Sequence, residues 1–481
     1  MARFSLGFVR PNADAPSGAE LTRRARLLAA AAALAALLGT GAAEADDLNT
    51  ALGQTYLGNP TLDAARAQLR ATDEGVPQAL SGWRPTVSGQ VTAGPQWLHN
   101  GTDATKKFPV DGDRNQQFFP RTYSITVTQP LFSGFGTVAG TKAAENRVRA
   151  GREQLLDTEQ QVLFQAVQAY MAVLTDASIL ELRKNNEKVL EAQLRATEDR
   201  FSAGEVTKTD VAQAQSRLQG ATADRVAAEG DLAAAKAVYR QVIGQEPVQL
   251  SMPNVPANLP VKEEEALGLA QQQPQVIAAE FLEQATRDDI DTQFSQLLPS
   301  ISLQGSFNHT DEENNNREHA DEGTILGVLT VPLYQAGAPD SRVRQAKQLY
   351  QQARKQLDEA RRTADQQAVQ AWQALITAQA QIVSFQEQVR STDIALDGVR
   401  QEQSVGARTV LDVLDAEQEA LTAKVNLVTA QTNLVVARYQ LLAAVGRLTA
   451  KDLALNVQLY DPRQHYDKVR NQFIGTGPSI E

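Results

Sequence analysis

The sequence offers little for catalysis and gathers its most suggestive charges at two short turns. Four histidines are present, His99, His309, His319 and His465, and none stands at a metal-ligand spacing from another. No phosphate-binding glycine loop, dinucleotide fingerprint or nucleophile elbow occurs, so neither an enzyme nor a cofactor is expected. The turns are richer. Thr207-x-x-Asp210 and Thr409-x-x-Asp412 each place a capping hydroxyl three residues before a carboxylate. That pattern satisfies first-turn amides and opposes the helix dipole. Arg408, Asp412 and Asp415 then fall at i, i+4 and i+7 on one helix face. On a lone surface such a stripe is merely solvated. In an oligomeric pore it becomes a ring of like charge that attracts cations and repels anions.

These turns are copies of one another. Residues 139–244 repeat as 341–446 at a constant offset of 202, placing Gly204 on Gly406, Thr207 on Thr409, Asp210 on Asp412 and Gly244 on Gly446. Upstream, Trp83–Gln90 matches Leu297–Gln304 at an offset of 214. A two-copy unit of this length is a duplicated half-structure rather than a solenoid. The duplication also acts as a control, since Arg408 and Asp415 correspond to Val206 and Gln213. The Thr–Asp pair is shared and reads as structural; the charged stripe belongs to the second half alone.

Each half reads helix, strand, strand, long helix, tight turn, helix. The first helices are predicted at 47–81 and 263–297. The long helices, 139–202 and 341–404, contain no proline. At 1.5 Å per residue, about 64 residues extend nearly 100 Å. The returning helices, 207–244 and 409–446, are shorter, and stacked on the first helices they would match the long ones. Four period-two segments are predicted as strands, at 85–93, 122–131, 300–307 and 324–333, the last more apolar throughout. Alternation of apolar residues with Ser, Thr and Gln over about ten residues suits outer-membrane strands, and equally a soluble sheet with one wet face. Polar loops are expected at 97–121 and 308–323, with aromatics at the strand ends that would suit a bilayer interface.

The returning helices carry heptads. Val211, Leu218, Leu232 and Tyr239 share a seven-residue period broken by Arg225, beside Ala214, Ala221, Ala228 and Ala235. The second set is Val413, Ala420, Leu427, Leu434 and Leu441, beside Ala416, Ala423, Ala430, Ala437 and Ala444. Alanine permits close approach, and the period favours a left-handed supercoil. These seams are expected to help chains assemble. A Pro-punctuated linker, 245–262, and a polar tail, 447–481, are expected to wrap the middle of the structure.

Composition fits export. Arg23, Arg24 and Arg26 precede an apolar run from Leu27 to Leu38, and Ala43-Glu44-Ala45 offers a cleavage site, so residues 1–45 read as a signal peptide. A short membrane anchor is the alternative. Beyond it no apolar stretch is expected to cross a membrane as a helix. The whole chain carries a formal charge of −11, and the leader removes more base than acid, so nucleic acid is an unsuitable partner. There is no cysteine. Aromatics are only 5% of residues, poor material for a large globular core and suited to long helices packed through small side chains.

Three stretches together carry a resemblance: Ser404–Ala416, Arg200–Gly204 with Thr209 and Asp210, and the Gln129–Gly134 strand-to-helix step. The mature chain resembles the TolC family of outer-membrane efflux channels. That likeness implies an α+β membrane protein, built as a trimer. Its twelve-stranded β-barrel, four strands per chain, would be continuous with a long α-helical coiled-coil barrel across the periplasm. It also implies partners: outer-membrane lipid, a periplasmic adaptor and an inner-membrane transporter, with the channel serving small-molecule efflux, type I protein secretion or both. Residues matching Arg408, Thr209 and Asp210 would hold the periplasmic entrance shut, Asp412 and Asp415 would form an acidic constriction, and Gly204 and Gly406 would mark adaptor-contact tips. The family gate often has Tyr where this chain has Gln403, an amide that retains hydrogen bonding with changed geometry. The competing reading is a periplasmic coiled-coil structural or adaptor protein without its own pore.

Overall fold

The computed structural model describes residues 47–100, 114–254, 256, 258–311 and 319–476. The expected signal peptide lies outside them. The first half contains α1 (Leu48–Gly58), α2 (Pro60–Asp73), α3 (Gly75–Leu80), β1 (Thr86–Ala93), β2 (Gln96–Asn100), β3 (Arg114–Phe118), β4 (Arg121–Ser133), α4 (Gly136–Ser202) and α5 (Lys208–Ile243). The second contains α6 (Glu263–Ala270), α7 (Pro274–Phe294), β5 (Ser300–Asp311), β6 (His319–Thr330), α8 (Ala338–Ser404) and α9 (Val410–Ala444), followed by α10 (Gln464–Val469). Both long helices have 67 residues and start and stop 202 positions apart, so the sequence offset is also a structural one.

The helices predicted at 47–81 and 263–297 are each broken. The breaks fall at Asn59 and at 271–273, immediately before Pro60 and Pro274. A proline pushes the residue before it out of the helical region and is itself suited to a helix's first position. Asn59 and Gln273 accordingly have extended backbones, with ψ of 120° and 151°. On one side α4 packs against α1, α2, α3 and α5; on the other it packs against α7 and α9, which in turn carry α8.

The alanine seams face inward within one chain rather than toward other chains. Ala214, Ala221, Ala228 and Ala235 are buried in a single protomer, as are Ala423, Ala430, Ala437 and Ala444. Ala437, Leu441 and Ala444 pack on Ala371, Leu375 and Ala378 of α8. Tyr239 and Ala235 pack on α4 around Leu163, Val167 and Tyr170. Arg225, the interruption in the first heptad, reaches Glu187 of α4 at 2.7 Å and Glu229 at 2.7 Å. One stretch of α4 is, against expectation, long and apolar enough to cross a membrane. On the same helix Leu163, Ala166, Val167 and Tyr170 are buried in the core shared with the short helices and the chain's tail.

The linker and tail cover this core. Tyr170 Oη donates to the Ser251 carbonyl at 2.8 Å and accepts from Ser251 N–H at 3.0 Å. Buried Glu159 accepts the Ala450 N–H at 2.7 Å, and Tyr56 Oη accepts the Tyr460 N–H at 3.0 Å.

The principal sheet has the order β1-β4-β5-β6, antiparallel throughout. Its register aligns the alternation across strands. Val87 faces Val127, Val91 faces Tyr123, Ile125 faces Phe307, and Ile301 faces Leu329 on one side. Ser88, Thr126 and Ser306 line up on the other. Val87, Val91, Ile125, Phe307, Ile325 and Leu329 on the apolar side are exposed in one chain, as are Ser88 and Gln90 on the other side. Trp97, Phe119 and Tyr123 are exposed near one end of the strands, and Trp83, Phe135 and Tyr334 near the other.

The strands differ from expectation at their ends. The fourth spans His319–Thr330 rather than 324–333, because Pro332 supplies no N–H for the ladder. In the first half the equivalent Pro130 lies past the end of the β1 pairing, which stops at Thr128, and beside a register shift between Pro130 and Phe132 on the β5 side. The expected loop 308–323 is largely hairpin: Thr310 pairs with Ala320 and Asp311 with His319. Polarity misled there, since strand ends standing in water need no apolar face. The loop at 97–121 likewise contains the β2–β3 pairing.

Replacing Ala437 with Leu should overpack the α8–α9 contact and cost about 1–3 kcal/mol. The thermal midpoint should fall by an amount independent of protein concentration, because the contact lies within one chain. A concentration-dependent loss would place the seam between chains instead.

Candidate functional site: the paired helix turns

The turn between α4 and α5 and that between α8 and α9 are built alike. Gly204 and Gly406 have φ of +80° and +79° with no atom crowding a would-be Cβ, so conformation rather than space requires glycine. Each turn closes by the same backbone bonds. Gly204 N–H donates to Phe201 and Glu205 N–H to Arg200; Gly406 N–H donates to Gln403 and Ala407 N–H to Glu402. Gln403 thus gives its carbonyl to the turn, with its side chain half-buried.

The shared Thr–Asp pairs are capping boxes. Asp210 Oδ2 accepts the Thr207 N–H and hydroxyl, both at 2.8 Å, while Thr207 Oγ1 accepts the Asp210 N–H at 3.3 Å. Asp412 and Thr409 repeat this at 2.8, 2.8 and 3.2 Å. The backbone N–H and then the hydroxyl of each threonine hold the Asp210 and Asp412 carboxyls below the usual carboxylate value. Thr209, between cap and carboxylate in the first turn, is exposed.

The residues found only in the second half take separate partners. Arg408 Nε donates to Glu402 of its own turn at 2.9 Å. Within one chain it does not meet Asp210, whose Oδ2 is held by Thr207. Asp415 accepts from Arg217 Nη2 at 2.6 Å, a bond that ties α9 of the second half to α5 of the first. Below the turn, Glu417 is 6% exposed and receives Arg400 Nη2 at 3.1 Å, while its Oε2 has no partner among the described residues.

Arg217, Arg400 and Glu417 were absent from the sequence-based site, although the repeat marks them. Their equivalents are Glu419, Glu198 and Gln215, three charge differences of the kind that singled out Arg408 and Asp415. His309 and the other histidines are remote from the turns, and no group of metal-binding side chains occurs among the described residues.

Residues 51–245 and 268–447 match the family described as outer membrane efflux protein, and the unmatched interval between them contains most of the 245–262 linker. The chain belongs to that family. It is 34% identical over 452 residues to outer membrane efflux protein BepC of Brucella suis biovar 1, covering 93% of this chain and 96% of that one. It is 29% identical over 432 residues to outer membrane protein TolC of Vibrio cholerae, covering 87% and 95%. The fold matches the Campylobacter jejuni CmeC outer membrane channel with a TM-score of 0.73 at 16% identity, over 88% and 89% of the two chains. As an outer membrane efflux protein, the chain is an outer-membrane exit channel reaching into the periplasm. The family is one of channels rather than enzymes, and its members work with transporters and adaptors. The competing reading of a poreless coiled-coil adaptor is thereby set aside.

Thr207→Ala and Thr409→Ala should each cost about 1 kcal/mol and speed amide exchange in the first turn of α5 or α9. Asp210 and Asp412 have folded values below the ordinary 3.8, so their contribution is complete above that pH. It should disappear as pH falls through the depressed values. Exchange in these turns that accelerates between pH 7 and 5 would contradict the capping assignment.

Proposed function

We propose that three copies of this outer membrane efflux protein close one twelve-stranded barrel in lipid and one helical duct beneath it. The observation that carries this is the four-stranded sheet, apolar on one face and mostly polar on the other apart from Leu326 and Val328 of β6, with β1 and β6 unpaired on their outer sides within one chain. Lipid leaves no backbone donor or acceptor unsatisfied, so an open sheet cannot span it alone. Four strands are below the minimum of about eight for a closed membrane barrel, and three copies supply twelve. The exposed aromatics at both strand ends suit the two interfaces. The 67-residue helices, roughly 100 Å long, suit a periplasmic conduit.

In this reading the paired turns are the periplasmic mouth, Gly204 and Gly406 its adaptor-contact tips, and an inner-membrane transporter supplies energy. Cargo is small molecules, type I secretion substrates or both. Arg408, with Gln403, Thr209 and Asp210, forms the gate, and Asp412 with Asp415 forms the acidic ring. Geometry refines the roles. Arg408 must leave Glu402 to reach a neighbouring chain. Arg217 partly neutralises Asp415, so the ring draws its field chiefly from Asp412 while each mouth is latched by the Arg217–Asp415 bond. An exposed pair is worth only about 0–1 kcal/mol, so closure rests on repetition by symmetry.

The test is electrical and topological. In planar bilayers Arg217→Ala should raise both conductance and cation preference, and Asp412→Ala with Asp415→Ala should lower cation preference. Arg408→Ala should raise conductance without unfolding the protein. Wild-type conductance and selectivity in all three variants would refute the mouth assignment. Because the chain lacks cysteine, Phe119→Cys and Glu205→Cys are clean labels. Intact cells should expose residue 119 to an impermeant thiol reagent and protect residue 205; the opposite pattern would invert the topology.

A further inference from the structure

Asn59 and Gln273 are repeat equivalents, 214 residues apart, each preceding the proline that opens a helix. In the first half this junction is sealed. Asn59 Oδ1 accepts the Thr61 N–H at 2.9 Å, and its Nδ2 donates to the Val242 carbonyl at 2.9 Å near the end of α5. In the second half Gln273 caps nothing, and its Nε2 has no partner although the residue is only 5% exposed. Beside it lies a cleft of about 340 Å³ where α7 begins and α9 ends, walled by α4 and α8. Ligand clefts fall in the range of about 300–1,000 Å³.

Its lining is unusual. Seven glutamines border it, among them Gln160 and Gln161 of α4, Gln367 and Gln370 of α8, and Gln440 of α9. Gln160 is also 5% exposed, with an unpartnered Nε2. Both Nε2 atoms are closed to water and lie behind the cleft wall, whereas Gln161, Gln275, Gln367, Gln370 and Gln440 are exposed along it. Phe164 adds an aromatic wall, and Asp157, which accepts from Gln161 at 2.9 Å, is the one ionisable lining residue. The cleft belongs to one protomer, since α4 and α8 both flank α7 and α9. On α4, Leu163, Val167 and Tyr170 face the core shared with the tail, whereas Gln161, Gln165 and Gln168 are exposed. The cleft therefore opens away from the tail.

We propose that this glutamine-lined cleft is a subsite for a neutral polyhydroxylated unit, a sugar ring, of cargo passing along the duct. The placement on the duct wall rests on the channel reading above, with the tail wrapped outside. Amide groups donate and accept in one plane and so match neighbouring hydroxyls, which do both. The Phe164 face suits the apolar side of a sugar. The lining has no Lys or Arg to receive an anion. An extended peptide instead pairs its backbone along a continuous edge, whereas these amides converge on one pocket from four helices.

Calorimetry on the purified detergent-solubilised protein with maltotriose tests binding, and single-channel recording with the same sugar tests placement. Wild type should bind and show sugar-dependent current interruptions. Gln367→Ala and Gln370→Ala should each weaken binding about two- to tenfold. Gln440→Trp, at an exposed position, should fill the cleft and abolish binding with the fold intact by circular dichroism. No heat with wild type, or affinity unchanged in all three variants, would overturn the proposal. So would a neutral Gly-Ser peptide that binds as tightly as the sugar and responds equally to the variants. Binding that persists without current interruption would instead overturn the duct-wall placement and leave the sugar site standing.

Discussion

An open sheet edge is intolerable in hydrocarbon, and the rest of the molecule is arranged around that constraint. The four strands of one chain satisfy each other through β4 and β5 and leave β1 and β6 each unpaired on one side. Water would tolerate such edges; lipid does not. In the proposed trimer, closing them with copies of the same chain would impose rotational symmetry on everything the strands carry. The helices that leave the strands would inherit that symmetry, so a residue on the proposed duct wall would act as a ring. On that proposal, isolated charges of little individual worth, such as those on Arg408 and Asp412, would gain leverage at the mouth.

Duplication within the chain meets the same demand. Long helices of equal length leave both strand pairs, and the shorter helices stack beside them. Each stack needs a joint where one helix ends and another begins. Proline at Pro60 and Pro274 makes the joint in both halves, and the residue before it decides what the joint becomes. Asn59 is short enough to cap α2 and reach Val242. Gln273, one methylene longer, does neither and faces a cleft. Small departures from internal symmetry thus mark places where the second half differs in more than architecture.

Charge follows a similar division. The capping boxes at Thr207–Asp210 and Thr409–Asp412 are the same local solution used twice, and their carboxylates are committed to backbone N–H groups. What differs between the halves forms contacts beyond the turn: Arg217 with Asp415, and Arg400 with Glu417. The paired turns are therefore a local scaffold carrying a non-local set of ion pairs.

Much of this was legible in the sequence, because it depends on short-range chemistry. The helix stops after Ser202 and Ser404, the caps, the alternation of the strands and the offset of 202 follow from glycine conformation, proline's missing donor and residue periodicity. Family resemblance in Ser404–Ala416 pointed to the turn proposed as the mouth. Other features depended on what lay opposite. The alanine seams of α5 and α9 read as assembly surfaces, yet a heptad records only that a partner exists, and the partners proved to be α4 and α8 of the same chain. Arg225, a flaw in the heptad, is explained by Glu187 on another helix. The polar ends of β5 and β6 read as loop because alternation ceases in water while ladder bonding continues. Asp415 was legible as a charge but its partner Arg217, 198 residues away, was not. Periodicity and local hydrogen bonding are written in neighbouring residues; the identity of a facing side chain is set only when distant helices are brought together, and there the tertiary structure alone decided.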